Sequence, residues 1–144
     1  MQQSNGSPSH VGAVTWGNGD TGTPAAVAPG NSLIGTTAGD EVGFDYSYNG
    51  ATAVALNNGD YVFRSSGWSN GTVYQAGAVT LRRGADSLGG IISSENSVLG
   101  LVSGSGYSMT FSYDSSSDVL VVGRPAENVV TFFNADLLFR NGFD

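Results

Sequence analysis

The sequence predicts an all-β repeat protein built from antiparallel four-stranded units. Short β-branched and aromatic runs alternate with clusters of Gly, Asn and Ser, the pattern of many brief strands joined by tight turns. No stretch carries sustained helical periodicity. Two phrases recur at one spacing. Gly12-Ala13-Val14-Thr15-Trp16 returns as Gly77-Ala78-Val79-Thr80-Leu81, and Asn31-Ser32-Leu33-Ile34-Gly35 returns as Asn96-Ser97-Val98-Leu99-Gly100, both at an offset of 65. A repeat of this length is a supersecondary unit that buries its apolar face only against neighbours.

Residues 1–10 are polar and read as a flexible lead-in. Strands are expected over 11–16, 32–36, 51–57, 60–65, 76–82, 97–102, 108–113, 118–123, 128–133 and 136–140. Between the third and fourth, Asn58-Gly59 marks a hairpin, expected as a type I′ turn because both residues tolerate positive φ. The Ser-rich stretch from Asp114 to Asp118 marks the corresponding hairpin later on, where each Asp is expected to cap its own backbone. Asn128-Val129-Val130-Thr131-Phe132 repeats the first phrase once more, at an offset of 51. The second unit is therefore shorter than the first, by the difference between the two offsets. The loss falls in the loops after Gly43 and around Gly67 to Gln75. Units are drawn as 11–76, 77–127 and a partial third at 128–144. Trp16 becomes Leu81 and then Phe132, an apolar series that predicts a core position.

Four antiparallel strands per repeat is the blade of a β-propeller. A β-sandwich or a β-solenoid can be made from the same strands. Two blades leave large faces open, so the expected partners are neighbouring repeats or further copies of the chain, in a ring or a filament.

Composition narrows the function classes. Charged residues are 12% of the chain, with no lysine, five arginines and a net charge of −7. That excludes nucleic acid and anionic membrane as partners, since both require a basic surface. Cysteine is absent, which removes disulfides and thiolate metal sites. No run is apolar and long enough for a membrane-spanning helix, and the stretch from Met1 to Asp20 holds no signal-like apolar region. A secretion signal would then lie upstream or have been removed.

The first phrase with its following Gly17-Asn18-Gly19 resembles a tandem repeat of large bacterial surface proteins of the filamentous-haemagglutinin or adhesin kind. Asn31 to Gly43, Leu56 to Phe63, Trp68-Ser69-Asn70-Gly71 and Ala76 to Thr80 carry the same resemblance, which spans residues 11–81. A more distant likeness is to the FG-GAP blades of integrin-type propellers, whose acidic hairpin binds calcium. Here that turn, Asn57 to Asp60, has one carboxylate. Leu137 to Asp144 looks like the terminal signature of secreted gamma-proteobacterial proteins, which implies a true C-terminus; a last edge strand covering the core is the other reading.

Candidate sites are few. His10 is the sole histidine and sits in the lead-in, and no Lys or Cys nucleophile exists, so no enzyme is expected. Asp40-Glu41 are adjacent and would point to opposite faces if extended. Asp40, Glu41 and Asp60 are the calcium candidates, but a calcium site needs several concentrated oxygen ligands, and no cofactor is expected. Tyr46, Tyr48, Trp68, Asn70 and Tyr74 lie on the long loops of the first unit, the equipment of a sugar-stacking site or of a seam between units. The expectation is a non-enzymatic, secreted or cell-surface structural or adhesive module. An oligomeric propeller lectin or the subunit of an extracellular filament is the alternative.

Overall fold

The two recurring phrases are partner strands of one ladder. The computed structural model describes residues 8–22, 26–46, 50–51, 53–84 and 89–134. Its strands are β1 (Ala13–Thr15), β2 (Ser32–Ile34), β3 (Phe44–Asp45), β4 (Gly50–Ala51), β5 (Val54–Ala55), β6 (Tyr61–Ser65), β7 (Ala78–Arg82), β8 (Ser97–Leu99), β9 (Thr110–Asp114), β10 (Val119–Arg124) and β11 (Val129–Phe133). The only helical pieces among the described residues are two short 3-10 turns, Ser105–Ser108 and Pro125–Glu127. The protein is all-β. Its antiparallel sheets are β1-β2, β3-β4, β5-β6-β7-β8 and β9-β10-β11. One sheet has the expected four strands, and it takes two from each side of the 76/77 unit boundary.

The repeat is held to the residue. β1 and β2 pair Ala13 with Ile34, Val14 with Leu33 and Thr15 with Ser32. β7 and β8 pair Ala78 with Leu99, Val79 with Val98 and Thr80 with Ser97, each shifted by 65. The echo runs beyond the phrases. Gly39 N–H donates to Ser9 O and Glu41 N–H to His10 O; at the same shift, Gly104 N–H donates to Tyr74 O and Gly106 N–H to Gln75 O. His10 and Gln75 share left-handed backbone, with φ of 58° and 51°.

Glycine opens each phrase for a reason. Gly12 and Gly77 stand at φ 69° and 79°, and a Cβ on Gly77 would lie 2.3 Å from Gly106 Cα. In the third copy Asn128 takes this place at φ 54°, the residue type that best tolerates left-handed backbone after glycine. Gly100 closes the second phrase. Its N–H donates to Gly77 O, and a Cβ there would meet Ala76 O at 1.8 Å. That turn ends β8 at Leu99, short of the expected 102.

Three sheets stack in chain order. Val14 and Leu33 of the first sheet pack on Phe63, Ala78 and Leu99 of the middle sheet, with Val42, Trp68 and Ile92 filling the layer. The opposite face of the middle sheet offers Val62, Val79, Leu81 and Val98, which pack on Leu120, Val122, Phe133 and Met109. The middle sheet is thus covered on both faces. β3 reaches its side through a buried ion pair, Arg64 with Asp45, in which Arg64 also donates to Met109 O.

Several expectations change. The 51–57 run divides between two sheets, since β4 pairs with β3 and β5 with β6. The Asn58-Gly59 turn is not type I′. Leu56 N–H donates to Asp60 O and Gly59 N–H to Leu56 O, giving a three-residue loop in which Gly59 alone has positive φ, at 88°. Asp114 caps its turn as expected, accepting from Ser116 N–H and from the Ser116 and Ser117 hydroxyls. Those bonds, the Ser117 hydroxyl first, lower its carboxyl to about 2. The Trp16, Leu81, Phe132 series is not one core position: Leu81 is 7% exposed, Trp16 is half-buried and Phe132 is 73% exposed. The predicted strand 136–140 lies outside the described residues.

Candidate functional site

Three exposed tyrosines from three loops stand near one another, and two of them, Tyr46 and Tyr107, lie near the Glu41 carboxylate. Tyr46 follows β3, where its backbone N–H is fixed by Ser66 Oγ at 3.0 Å. Tyr107 sits in the Ser105–Ser108 turn. Its ring centroid is 5.7 Å from that of Tyr46, with the planes at 60°. Phe44 backs Tyr46 edge-on at 5.2 Å. Gly67 leaves room for this arrangement, since a Cβ there would be 3.3 Å from Tyr46 Cε2. Tyr74 is 58% exposed, and its carbonyl accepts from Gly104 N–H and Ser103 Oγ.

Glu41 lies beside Tyr46 and Tyr107. It stands at φ 43°, with its N–H on His10 O and its carbonyl accepting from Phe44 N–H. The Tyr46 hydroxyl donates to its carboxylate. That bond, helped by burial and by the charge of Glu41, pushes the phenol up to about 12. Tyr107 is raised as well, first by burial and then by Tyr74 and Glu41 nearby. Glu41 also lines a groove of about 420 Å³ between β1 and the β3–β4 hairpin, together with His10, Val14, Val42 and Phe44. That volume is within the roughly 300–1,000 Å³ of small-molecule sites.

These residues stand where the copies differ. At the offset of the repeat Tyr74 replaces Ser9, Tyr107 replaces Val42, and Glu41 gives way to Gly106. At the Ser9/Tyr74 and Glu41/Gly106 places the backbone bonds between the loops are kept while the side chains change.

The other expected site residues go elsewhere. Trp68 is buried in the layer between the first two sheets. Asn70 forms a tight bridge with Val73, and its Nδ2 donates to Gly100 O at 3.0 Å. Tyr48 lies outside the described residues. Asp40 is fully buried. Its carboxylate accepts from the N–H groups of Thr36, Thr37 and Ser69, which tie the loop after β2 to the loop after β6. Asp60 accepts from Gly84 N–H and Asn58 Nδ2. Among the described residues no group of three or more His, Asp or Glu side chains is placed to hold a metal. Tyr107 and His10 are the site members the expected set lacked. The Ser9/Tyr74 and Val42/Tyr107 mismatches in the aligned copies are the signal that marks two of the tyrosines.

Residues 3–44 and 55–108 match a family model described as a repeat of unknown function (DUF5650). The chain belongs to this repeat family. No curated protein and no solved structure matches it. The two DUF5650 segments contain the β1–β2 and β7–β8 ladders, and with them Glu41, Tyr74 and Tyr107. Tyr46 falls between the segments, and the β9–β11 sheet lies beyond them.

Proposed function

We propose that this DUF5650 repeat protein is a non-enzymatic, secreted or surface-exposed adhesive module. Its stacked sheets are a rigid platform, and the Tyr46, Tyr74, Tyr107 and Glu41 cluster is its contact site for carbohydrate. The observation that carries this reading is the gathering of three exposed phenol rings, two of them beside the Glu41 carboxylate, next to a groove that Glu41 lines. Sugar rings present C–H faces that stack on aromatic rings and hydroxyls that need fixed polar partners. Glu41 supplies an acceptor, and the tyrosine hydroxyls supply both donors and acceptors. The four-stranded β5–β8 sheet is read as a propeller-like blade between two incomplete ones. That reading accords with the adhesin-like and FG-GAP-like resemblance of residues 11–81.

A glycan array probed with the full chain tests the proposal. Hits are expected, and they should disappear when Tyr46, Tyr74 and Tyr107 are all replaced by Ala. An array without hits, or hits that survive those substitutions, contradicts it.

A further inference from the structure

We infer that the outer face of the β9–β11 sheet is a stacking surface for the β1–β2 sheet of a second copy of this chain. The inference follows from how the chain packs its own layers. Val14 and Leu33 of the first sheet are covered by the middle sheet. Val79 and Val98, their equivalents in the second copy of the repeat, are covered by the third sheet. Each sheet turns the same face to the sheet that follows it.

The third sheet has the same face. β6 pairs Val62 with Leu81 and Arg64 with Val79; β10 pairs Val121 with Phe132 and Gly123 with Val130. Val121, Val130 and Phe132 therefore occupy the places of Val62, Val79 and Leu81. The middle-sheet residues are 0%, 0% and 7% exposed, whereas Val130 and Phe132 are 59% and 73% exposed. The apolar residues are retained, and here they face outward. Contiguous exposed apolar side chains on a sheet face mark an interaction surface.

The complementary surface is at the other end of the stack. On β1–β2 the side chains opposite to Val14 and Leu33 include Ala13, Thr15 and Ile34, all half-buried. Their equivalents Ala78, Thr80 and Leu99 lie against the preceding sheet. A second copy that follows the internal packing rule sets its Ala13 and Ile34 against Val130 and Phe132. The contact joins two different faces, so repetition gives a ring if the rotation closes and a filament if it does not. With a net charge of −7 per chain, copies repel, and salt screening strengthens the association.

Sedimentation velocity on the full chain, over a range of concentration and salt, tests this. The wild type is expected to associate, and more so at higher salt. Phe132→Glu and Ile34→Arg should each weaken association by about tenfold or more. Phe132 is exposed within one chain, so its variant should keep the wild-type unfolding midpoint; if Ile34→Arg lowers the midpoint, Ala13→Glu takes its place. An equimolar mixture of the two variants should recover dimers, because each supplies the face the other has lost. A wild type that stays monomeric throughout, a Phe132→Glu variant that associates normally, or a mixture that remains monomeric overturns the inference. Glycan binding does not enter this readout.

Discussion

Thr80 Oγ1 lies 2.7 Å from Ser97 Oγ, and in the first copy of the repeat Thr15 Oγ1 lies 2.7 Å from Ser32 Oγ. In both copies the serine hydroxyl donates onward to the Oδ1 of the preceding Asn, Asn96 or Asn31. A serine has one proton to give, so the threonine must be the donor of the first bond. The Asn in turn fixes the approach loop: Asn96 accepts from Ser93 N–H and donates to Ile91 O, as Asn31 does with Ala28 and Ala26. This chain of hydroxyl and amide groups is the polar spine of the repeat. It explains why Thr in one phrase and Asn-Ser in the other travel together.

Thr80→Val should destabilise the protein by about 1–3 kcal/mol, because it leaves the buried Ser97 oxygen without its donor while keeping the side-chain shape. Ser32 is as buried as Ser97, but Thr15 is half-buried, so water at its place can replace the lost donor and Thr15→Val should cost less. Urea unfolding midpoints measure both, and equal losses would argue against burial as the reason.

Gly100→Ala should cost about 3 kcal/mol, since the added methyl meets the Ala76 carbonyl and no flexible side chain can yield there. Asn128→Gly, at the left-handed start of the third copy, should be neutral or slightly stabilising. Thermal unfolding of the two variants should move in these different directions.

Asp45→Asn removes the charge that balances the buried Arg64 guanidinium. Breaking a buried pair from one side costs about 3–5 kcal/mol. Because Arg64 also holds Met109 O, amide exchange should rise in both β6 and the start of β9. Exchange confined to the β3–β4 hairpin would show that the pair does not couple the layers.

Tyr46 should be among the last tyrosines to ionise, near pH 12, in an absorbance titration. Its folded value is raised above the ordinary one of 10.0, so the neutral phenol is the stabilised form. That contribution is complete below about pH 10 and fades as pH rises through about 12. Glu41→Gln should bring the late transition back toward the ordinary value, and an unchanged titration would remove Glu41 as its cause.

Much of the scaffold was legible in the sequence because it is written twice. Gly-Ala-Val-Thr and Asn-Ser-x-x-Gly mark two strands whose glycines and hydroxyls have backbone and hydrogen-bonding duties, and such duties leave fixed letters. The β9–β10 hairpin was legible from the Ser-rich turn between Asp114 and Asp118, and strand β11 from the third echo at Asn128. The β3–β4 hairpin was not legible, since two residues per strand carry no alternation. The Asn58-Gly59 loop closes at Leu56 and Asp60, and that register is set by the sheet beyond it. Phe132 read as core because an apolar letter reports a place in the repeat, not whether another sheet follows. Two of the three tyrosines, Tyr46 and Tyr74, were visible as long-loop aromatics. Tyr107 comes to Tyr46 from a distant loop, and only the folded stack brings them together.

The most direct test of the account is calorimetric titration of the best array saccharide into the wild type, Tyr74→Phe and Tyr74→Ala. Stacking needs the ring, so Phe should bind within about threefold of the wild type, while Ala should lose about tenfold or more, as truncation of an aromatic anchor does. A Tyr74→Ala protein that binds as tightly as the wild type would contradict the tyrosine cluster as the contact site.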